Sequence, residues 1–311
     1  MKEIGGYIEL DTYSGSMLHG DGIKLNCGRN ALAYLVKAKG IKNILMPKLM
    51  CGSCNKVLID NKVSVRYYSI GLDFRPVSLQ REAGEWLYIV NYYGQLPASY
   101  IKTLGENVIL DNAQAYYDVP IAGMDTIYTC RKFFGVPDGA ILYTDVKLDN
   151  IPQDESYERM NFLLGRYERS ASEFYSEYVS NNQFFVDEPI KRMSRLTENL
   201  LHGIDYEKAK QIRTKNFWCI HHSFASANQL KLIVPEGAFM YPLYIENGAE
   251  VRKKLLEEKI YIPTLWPNVF DLCKETDLEY NMAKNILPLP VDQRYSSEDM
   301  EYLIDKVNNF K

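Results

Sequence analysis

The chain has 311 residues, 46% of them hydrophobic, enough for a large core and long for one compact domain, so one large and one smaller domain with a cleft between them are expected. Its 36 Lys+Arg against 40 Asp+Glu give a formal net charge of -4, and no basic run interleaves with aromatics, which argues against nucleic acid and for a small-molecule partner. Apolar runs never reach the roughly 18 residues of a spanning helix, and the start "MKEIGGYIELDTYSG" lacks a charged region followed by an apolar one, so no membrane partner is expected and the location is read as cytoplasmic.

From residue 20 to residue 145 short apolar runs alternate with helical patterns. "CGRNALAYLVKAKG" reads as a helix with Ala31, Leu32, Leu35 and Val36 on one face, ended by Gly40. Strand "KNILMP", helix "CGSCNKVLIDN" and strands "VSVRYYSI" and "EWLYIVNYYG" follow, then the short helix "ASYIKTLGEN" and strands "VILDN", "DTIYTC" and "GAILYTD". This alternation predicts βαβ units on a mainly parallel sheet covered on both faces, where ligands collect at the carboxyl ends of the strands. Asn91, Asp111 and Lys132 lie at or just past such ends.

Residues 150–210 change to polar, tyrosine-containing helical segments, read as interdomain and interface helices. A second α/β pattern begins near Leu230: "FMYPLYIE" and "KIYIPTLWP" as strands, "NGAEVRKKLLEEK" as the helix between them, and "SSEDMEYLIDKVNNF" as a terminal helix capped by Ser296 or Ser297 with Glu298 and Asp299 in its first turn. The expected division is 1–213 for the large domain and 214–311 for the small one.

The six cysteines (Cys27, Cys51, Cys54, Cys130, Cys219, Cys273) lack the spacing of a disulfide framework. Cys51 and Cys54 form a CxxC pair, but no second CxxC or HxxxH follows, and the adjacent His221 and His222 point apart on a helix, so no metal site is expected and the thiols read as structural.

Singly, Asp111 reads as a helix cap and Lys132 as a snorkelling lysine. Together they fit a pyridine-type cofactor, whose ring nitrogen needs a carboxylate and whose aldehyde needs an amine. Its phosphate needs a helix N-terminus and hydroxyls, offered by Gly28-Arg29-Asn30 and by Thr129 at TxxK spacing before Lys132.

With these residues assembled, the chain resembles the DegT/StrS-type sugar-nucleotide aminotransferases among the fold-type-I pyridoxal 5'-phosphate (PLP) enzymes. The matching segments are Cys27-Gly28-Arg29-Asn30-Ala31-Leu32, Asn91-Tyr92-Tyr93-Gly94, Asp111-Asn112-Ala113-Gln114, Thr129-Cys130-Arg131-Lys132 and the closing "ILPLPVDQRYSSEDMEYLIDKV". The resemblance implies a three-layer α/β/α large domain with a seven-stranded sheet, a small C-terminal α/β domain, and a homodimer with shared active sites. It implies Lys132 as the Schiff-base lysine and proton carrier, Asp111 at the pyridinium nitrogen and Gln114 against the ring or its 3-hydroxyl. Gly28, Arg29 and Thr129 would bind the phosphate. Arg29 stands where the family has threonine. No aromatic occurs near Met50-Cys51 to stack on the ring, which leaves that part to Tyr92 or another ring, or to none. Lys191 and Ser194 take the place of the phosphate-binding asparagine of the neighbouring subunit.

The implied activity is transfer of an amino group from glutamate to a keto group of a nucleotide-linked sugar, in cell-surface polysaccharide or related sugar biosynthesis. The alternatives are a PLP-dependent lyase or dehydratase, in which the family carries histidine where Lys132 stands, and a non-catalytic binding or regulatory protein of the same fold. Tyr93 and Trp266 are candidates for substrate contact, and Arg166 and Arg169 for a substrate diphosphate, although solvated helix faces carry such charges routinely.

Overall fold

A computed structural model describes residues 4–311. Seven strands form one sheet: β1 (Ile23–Leu25), β2 (Asn43–Pro47), β3 (Ser64–Tyr68), β4 (Trp86–Val90), β5 (Val108–Asp111), β6 (Asp125–Thr129) and β7 (Ala140–Tyr143), in the order β1-β7-β6-β5-β4-β2-β3. β2 through β6 pair in parallel, whereas β7 is antiparallel to both β6 and β1. The mainly parallel sheet predicted from continuous apolar runs is therefore present, and the reason is visible in β5, whose four residues are all buried. β1 went unread because three residues with a lysine at the centre carry no hydrophobic signal.

Helix α1 (Gly28–Ala38) and helix α2 (Gly52–Asp60) pack together on this sheet. α1 buries Asn30 through Val36 almost without a break, as expected of a helix under other layers. After β4 the chain does not extend to Gly94 as read. It turns at once into a 3-10 turn, Tyr92–Gly94, with Tyr93 at φ 53° and Gly94 at φ 71°. The short α3 (Ala98–Ile101) leads on toward β5.

The helical region divides into α4 (Asn161–Glu168), α5 (Tyr175–Phe184), α6 (Arg195–His202) and α7 (Tyr206–Phe224). A Cβ on Gly165 would lie 2.3 Å from the Phe174 ring, so glycine is what lets the segment fold back on α4. The expected domain boundary at 213/214 falls inside the 19-residue α7.

β8 (Met240–Tyr244), α8 (Gly248–Glu257), α9 (Val269–Leu272), α10 (Leu278–Asn285), β9 (Ile286–Pro290) and α11 (Ser297–Phe310) complete the chain. The strand expected in "KIYIPTLWP" does not form. Lys259 turns the backbone to φ 59°, Pro263 and Pro267 cannot donate to a ladder, and β8 pairs instead with β9, from Met240↔Pro290 to Tyr244↔Ile286. Both strands of this ribbon are edges, which is why Pro242 can sit opposite Pro288. A second hydrophobic cluster, including Phe217, Tyr241, Leu243, Leu289 and Leu303, joins α7 and α11 to the ribbon. Ser296 caps α11 in a capping box with Asp299, as read.

Candidate functional site

β5 and β6 are neighbours, with Asp111 opposite Ile127 in register, so the carboxyl end of each strand opens on the same edge of the sheet. Asp111 ends β5 and is buried. The Tyr88 hydroxyl donates to its Oδ2 at 3.0 Å and the Ala113 N–H to its Oδ1 at 2.8 Å. Those two donors fix the orientation of the carboxylate. β6 ends at Thr129, and a 3-10 turn, Cys130–Lys132, carries the lysine out of the strand. Lys132 is exposed, and its Nζ lies 5.7 Å from the centre of the Phe239 ring.

The CxxC pair lies within electrostatic reach of both residues. Cys51 and Cys54 stand with their sulfurs 3.6 Å apart at the start of α2. The hydrogen bond from Cys54 is the largest influence on the Cys51 thiol, and with Ser53 and the Lys132 charge it overcomes burial and draws the thiol down to about 6. Cys54 moves the opposite way, raised by that same bond, by burial and by the nearby Asp111 carboxylate. One sulfur therefore feels the lysine and its neighbour the aspartate. The CxxC pair, read from sequence as structural thiols, is thus a neighbour of both residues.

A second feature lies at the N-terminus of α1. A Cβ on Gly28 would come within 2.8 Å of Thr129 Oγ1, so the absent side chain is what lets the hydroxyl close on the helix end. Arg29, partly exposed, has no carboxylate partner among the described residues. Arg131 donates to Asn182 Oδ1 at 2.5 Å, lies 5.0 Å from the centre of the Phe185 ring, and leaves a buried Nε without a partner. Burial lowers the Arg131 guanidinium from its usual range, and the charge of Arg29 lowers it further. Two neighbouring cations without a carboxylate, beside free helix N–H groups, are suited to an anion. Arg131 was missed in the sequence, and its signal was a second basic residue directly before Lys132.

Gln114 is buried, and its Oε1 accepts the Tyr93 N–H at 2.9 Å, holding the left-handed turn after β4. Asn91 secures the same turn: its Oδ1 accepts the Leu96 N–H at 2.9 Å, and its Nδ2 donates to Asp118 at 2.8 Å and to Asn112 at 3.2 Å. Burial pushes the Asp118 carboxyl up to about 6 against the lowering effect of that Asn91 bond.

Other expectations fail on packing. Tyr92 is 1% exposed, donates its hydroxyl to Leu49 O, and stacks on Phe74 at 5.4 Å, so its ring is packed into the core. Ser194, also 1% exposed, caps α6, accepts the Thr197 N–H at 3.1 Å and donates to Asp138 at 2.8 Å, which leaves no hydroxyl for a phosphate. Lys191 pairs with Glu188 and lies 3.9 Å from Asp154. Arg166 and Arg169 are exposed on α4 and its end, with Arg169 paired to Glu173. Tyr93 is buried against Phe239 and Trp266, while Trp266 is only partly covered.

The turn bearing Lys132 is held from the small lobe. Arg213, fully buried on α7, donates to Phe133 O at 2.9 Å, to Ala238 O at 2.9 Å and to Gln293 Oε1 at 2.6 Å, and Gln293 itself donates to Phe133 O at 2.9 Å. Burial lowers this guanidinium to about 10, opposed by the charge of Asp292. It is still cationic at neutral pH.

No family model matches the chain, and no curated protein matches it. Solved structures do. DesV from S. venezuelae matches with a TM-score of 0.66 at 14% identity, covering 96% of this chain and 90% of that one. The DegT DnrJ EryC1 StrS aminotransferase from Brucella abortus matches with a TM-score of 0.62 at 13% identity, covering 92% and 85%. The sugar aminotransferase Spr1654 from Streptococcus pneumoniae, in its PLP-form, matches with a TM-score of 0.64 at 12% identity, covering 96% and 92%. The chain has the fold of these three structures over nearly its whole length.

Proposed function

We propose that the chain is a PLP-dependent aminotransferase that moves an amino group from glutamate to a keto group of a nucleotide-linked sugar, in cell-surface polysaccharide or related sugar biosynthesis. What supports this is that Asp111 and Lys132 lie at or just past the carboxyl ends of the neighbouring parallel strands β5 and β6. The fit to PLP is supported by the cation pair Arg29 and Arg131, the buried unpartnered Nε of Arg131, and the gap at Gly28 into which Thr129 Oγ1 points. A structural neighbour with this fold is described in a PLP-form.

PLP, when bound, supplies a ring that withdraws electrons from the carbon losing its proton. Arg29, Arg131, Thr129 and the first N–H groups of α1 hold its phosphate. Asp111, oriented by Tyr88 and the Ala113 N–H, keeps a proton on the ring nitrogen. Lys132 would offer its amine to the aldehyde and would carry the substrate proton at its Nζ. Gln114 acts through the Tyr93 turn. The surface of α4, α5 and the turn before α4 exposes Tyr157, Leu164, Tyr167, Tyr175, Tyr178 and Val179, an apolar area of the kind a second subunit covers, and a homodimer is part of this proposal.

The test is reconstitution. PLP added to the purified protein is expected to give a visible absorption band that glutamate bleaches while one equivalent of keto acid forms. Lys132→Ala is expected to lose that band. A protein that stays colourless in a PLP titration would overturn the proposal.

A further inference from the structure

The CxxC pair is not needed by the chemistry proposed above, yet its arrangement is that of a reactive dithiol. Cys51 is the N-cap residue of α2, an extended position at φ -71°, ψ 142°, and Cys54 lies in the first turn of the same helix. Their sulfurs are 3.6 Å apart and Ser53 Oγ lies 3.1 Å from Cys51 Sγ. Cys51 is partly exposed while Cys54 is buried, so an incoming reagent meets Cys51 first.

We propose that Cys51 and Cys54 form a reversible disulfide by exchange with small-molecule disulfides such as oxidised glutathione, with Cys51 as the attacking sulfur and Cys54 as the resolving one. The Cys51 thiolate attacks one sulfur of the small disulfide, forming a mixed disulfide and releasing one thiolate. Cys54 then loses its proton and attacks Cys51 Sγ, releasing the second thiolate. The protein loses two hydrogens, and the small disulfide is reduced to two thiols.

The other four cysteines explain the selectivity. Burial raises the Cys27 thiol to about 11 and the Cys130 thiol to about 12, and it also raises Cys219 and Cys273. Cys51 alone among the six is drawn down, by groups that cluster on it: Cys54, Ser53 and Lys132. No group of three or more His, Cys, Asp or Glu placed to hold a metal occurs among the described residues, so the pair is not part of a metal cage.

The experiment uses full-length reduced protein without added PLP, so its outcome is separate from that of the aminotransferase proposal. Titration with a graded ratio of reduced to oxidised glutathione, followed by intact mass and peptide mapping, is expected to show one internal Cys51–Cys54 link that dithiothreitol reverses. Cys54→Ser is expected to stop at one glutathione on Cys51, and Cys51→Ser to take up none at residue 54. In the wild-type protein, iodoacetamide is expected to label Cys51 first, with a rate that rises through about pH 6. Absence of the internal link in the wild-type protein, or equal alkylation of Cys51 and Cys219, would overturn the proposal whatever the variants do.

Discussion

Thr129 Oγ1 lies against the α-carbon of Gly28, so close that a methyl group there would sit 2.8 Å from the hydroxyl. Strand end and helix start thus meet at one point. Gly28→Ala is expected to push the hydroxyl away and weaken PLP binding about tenfold, the loss of roughly one charge-assisted hydrogen bond. Thr129→Ala alone is expected to cost a similar amount. The double variant is expected to bind no worse than either single one, because the clash disappears with the hydroxyl. Absorbance titration of PLP across the cycle checks this, and strictly additive losses would count against the contact.

Arg29 and Arg131 are expected to act on the phosphate together. Arg29→Gln and Arg131→Gln should each raise the PLP dissociation constant by about ten- to a hundredfold, since a hydrogen bond to a charged group contributes roughly 1.5–3 kcal/mol. Pyridoxal, which lacks the phosphate, should bind the variants and the wild type alike. Competition by inorganic phosphate supplies an independent reading, and should fade in both variants.

Ser194 separates a cofactor role from a structural one. Its hydroxyl caps α6 and supports the buried Asp138, so Ser194→Ala is expected to destabilise the protein by about 2 kcal/mol, from lost capping and a buried carboxylate short of one donor. PLP affinity should not change. Thermal melting and PLP titration on the same sample check both halves.

Asp118 gives a pH signature. Its carboxyl is raised by burial to about 6 in the folded protein from an ordinary value near 4. Between those values the folded state keeps a proton that the unfolded state releases. The stability contributed by this group is therefore complete below about pH 4, declines as pH rises, and is gone above about pH 6. Asp118→Asn, which preserves an acceptor for Asn91, is expected to gain stability relative to wild type across that window and hold a constant difference above it. Melting temperatures measured from pH 4 to pH 8 test this.

How much of this could be read beforehand follows from what kind of signal each part leaves. β2, β4 and β5 are short apolar runs at the centre of a sheet, and the acid and lysine at neighbouring strand ends were legible from spacing. β1 was not, because its place is set by pairing with β7 rather than by its own residues. Tyr92 illustrates the limit. Its neighbour Tyr93 adopts a left-handed backbone and Gln114 holds it there, and the Tyr92 ring stacks on Phe74. Nothing in "NYYG" reports that turn. The strand expected after α8 fails likewise, because β9, some 30 residues on, supplies the partner.

Arg213 has a consequence for motion. Its guanidinium bonds Phe133 O beside the lysine turn as well as Ala238 O and Gln293 in the smaller lobe. Drawing the lobes apart at that point would leave a buried cation without acceptors, at a cost of several kcal/mol. Arg213 therefore works as a rivet: the turn that carries Lys132 and the segments around Ala238 and Gln293 are fastened to one guanidinium and shift together or not at all.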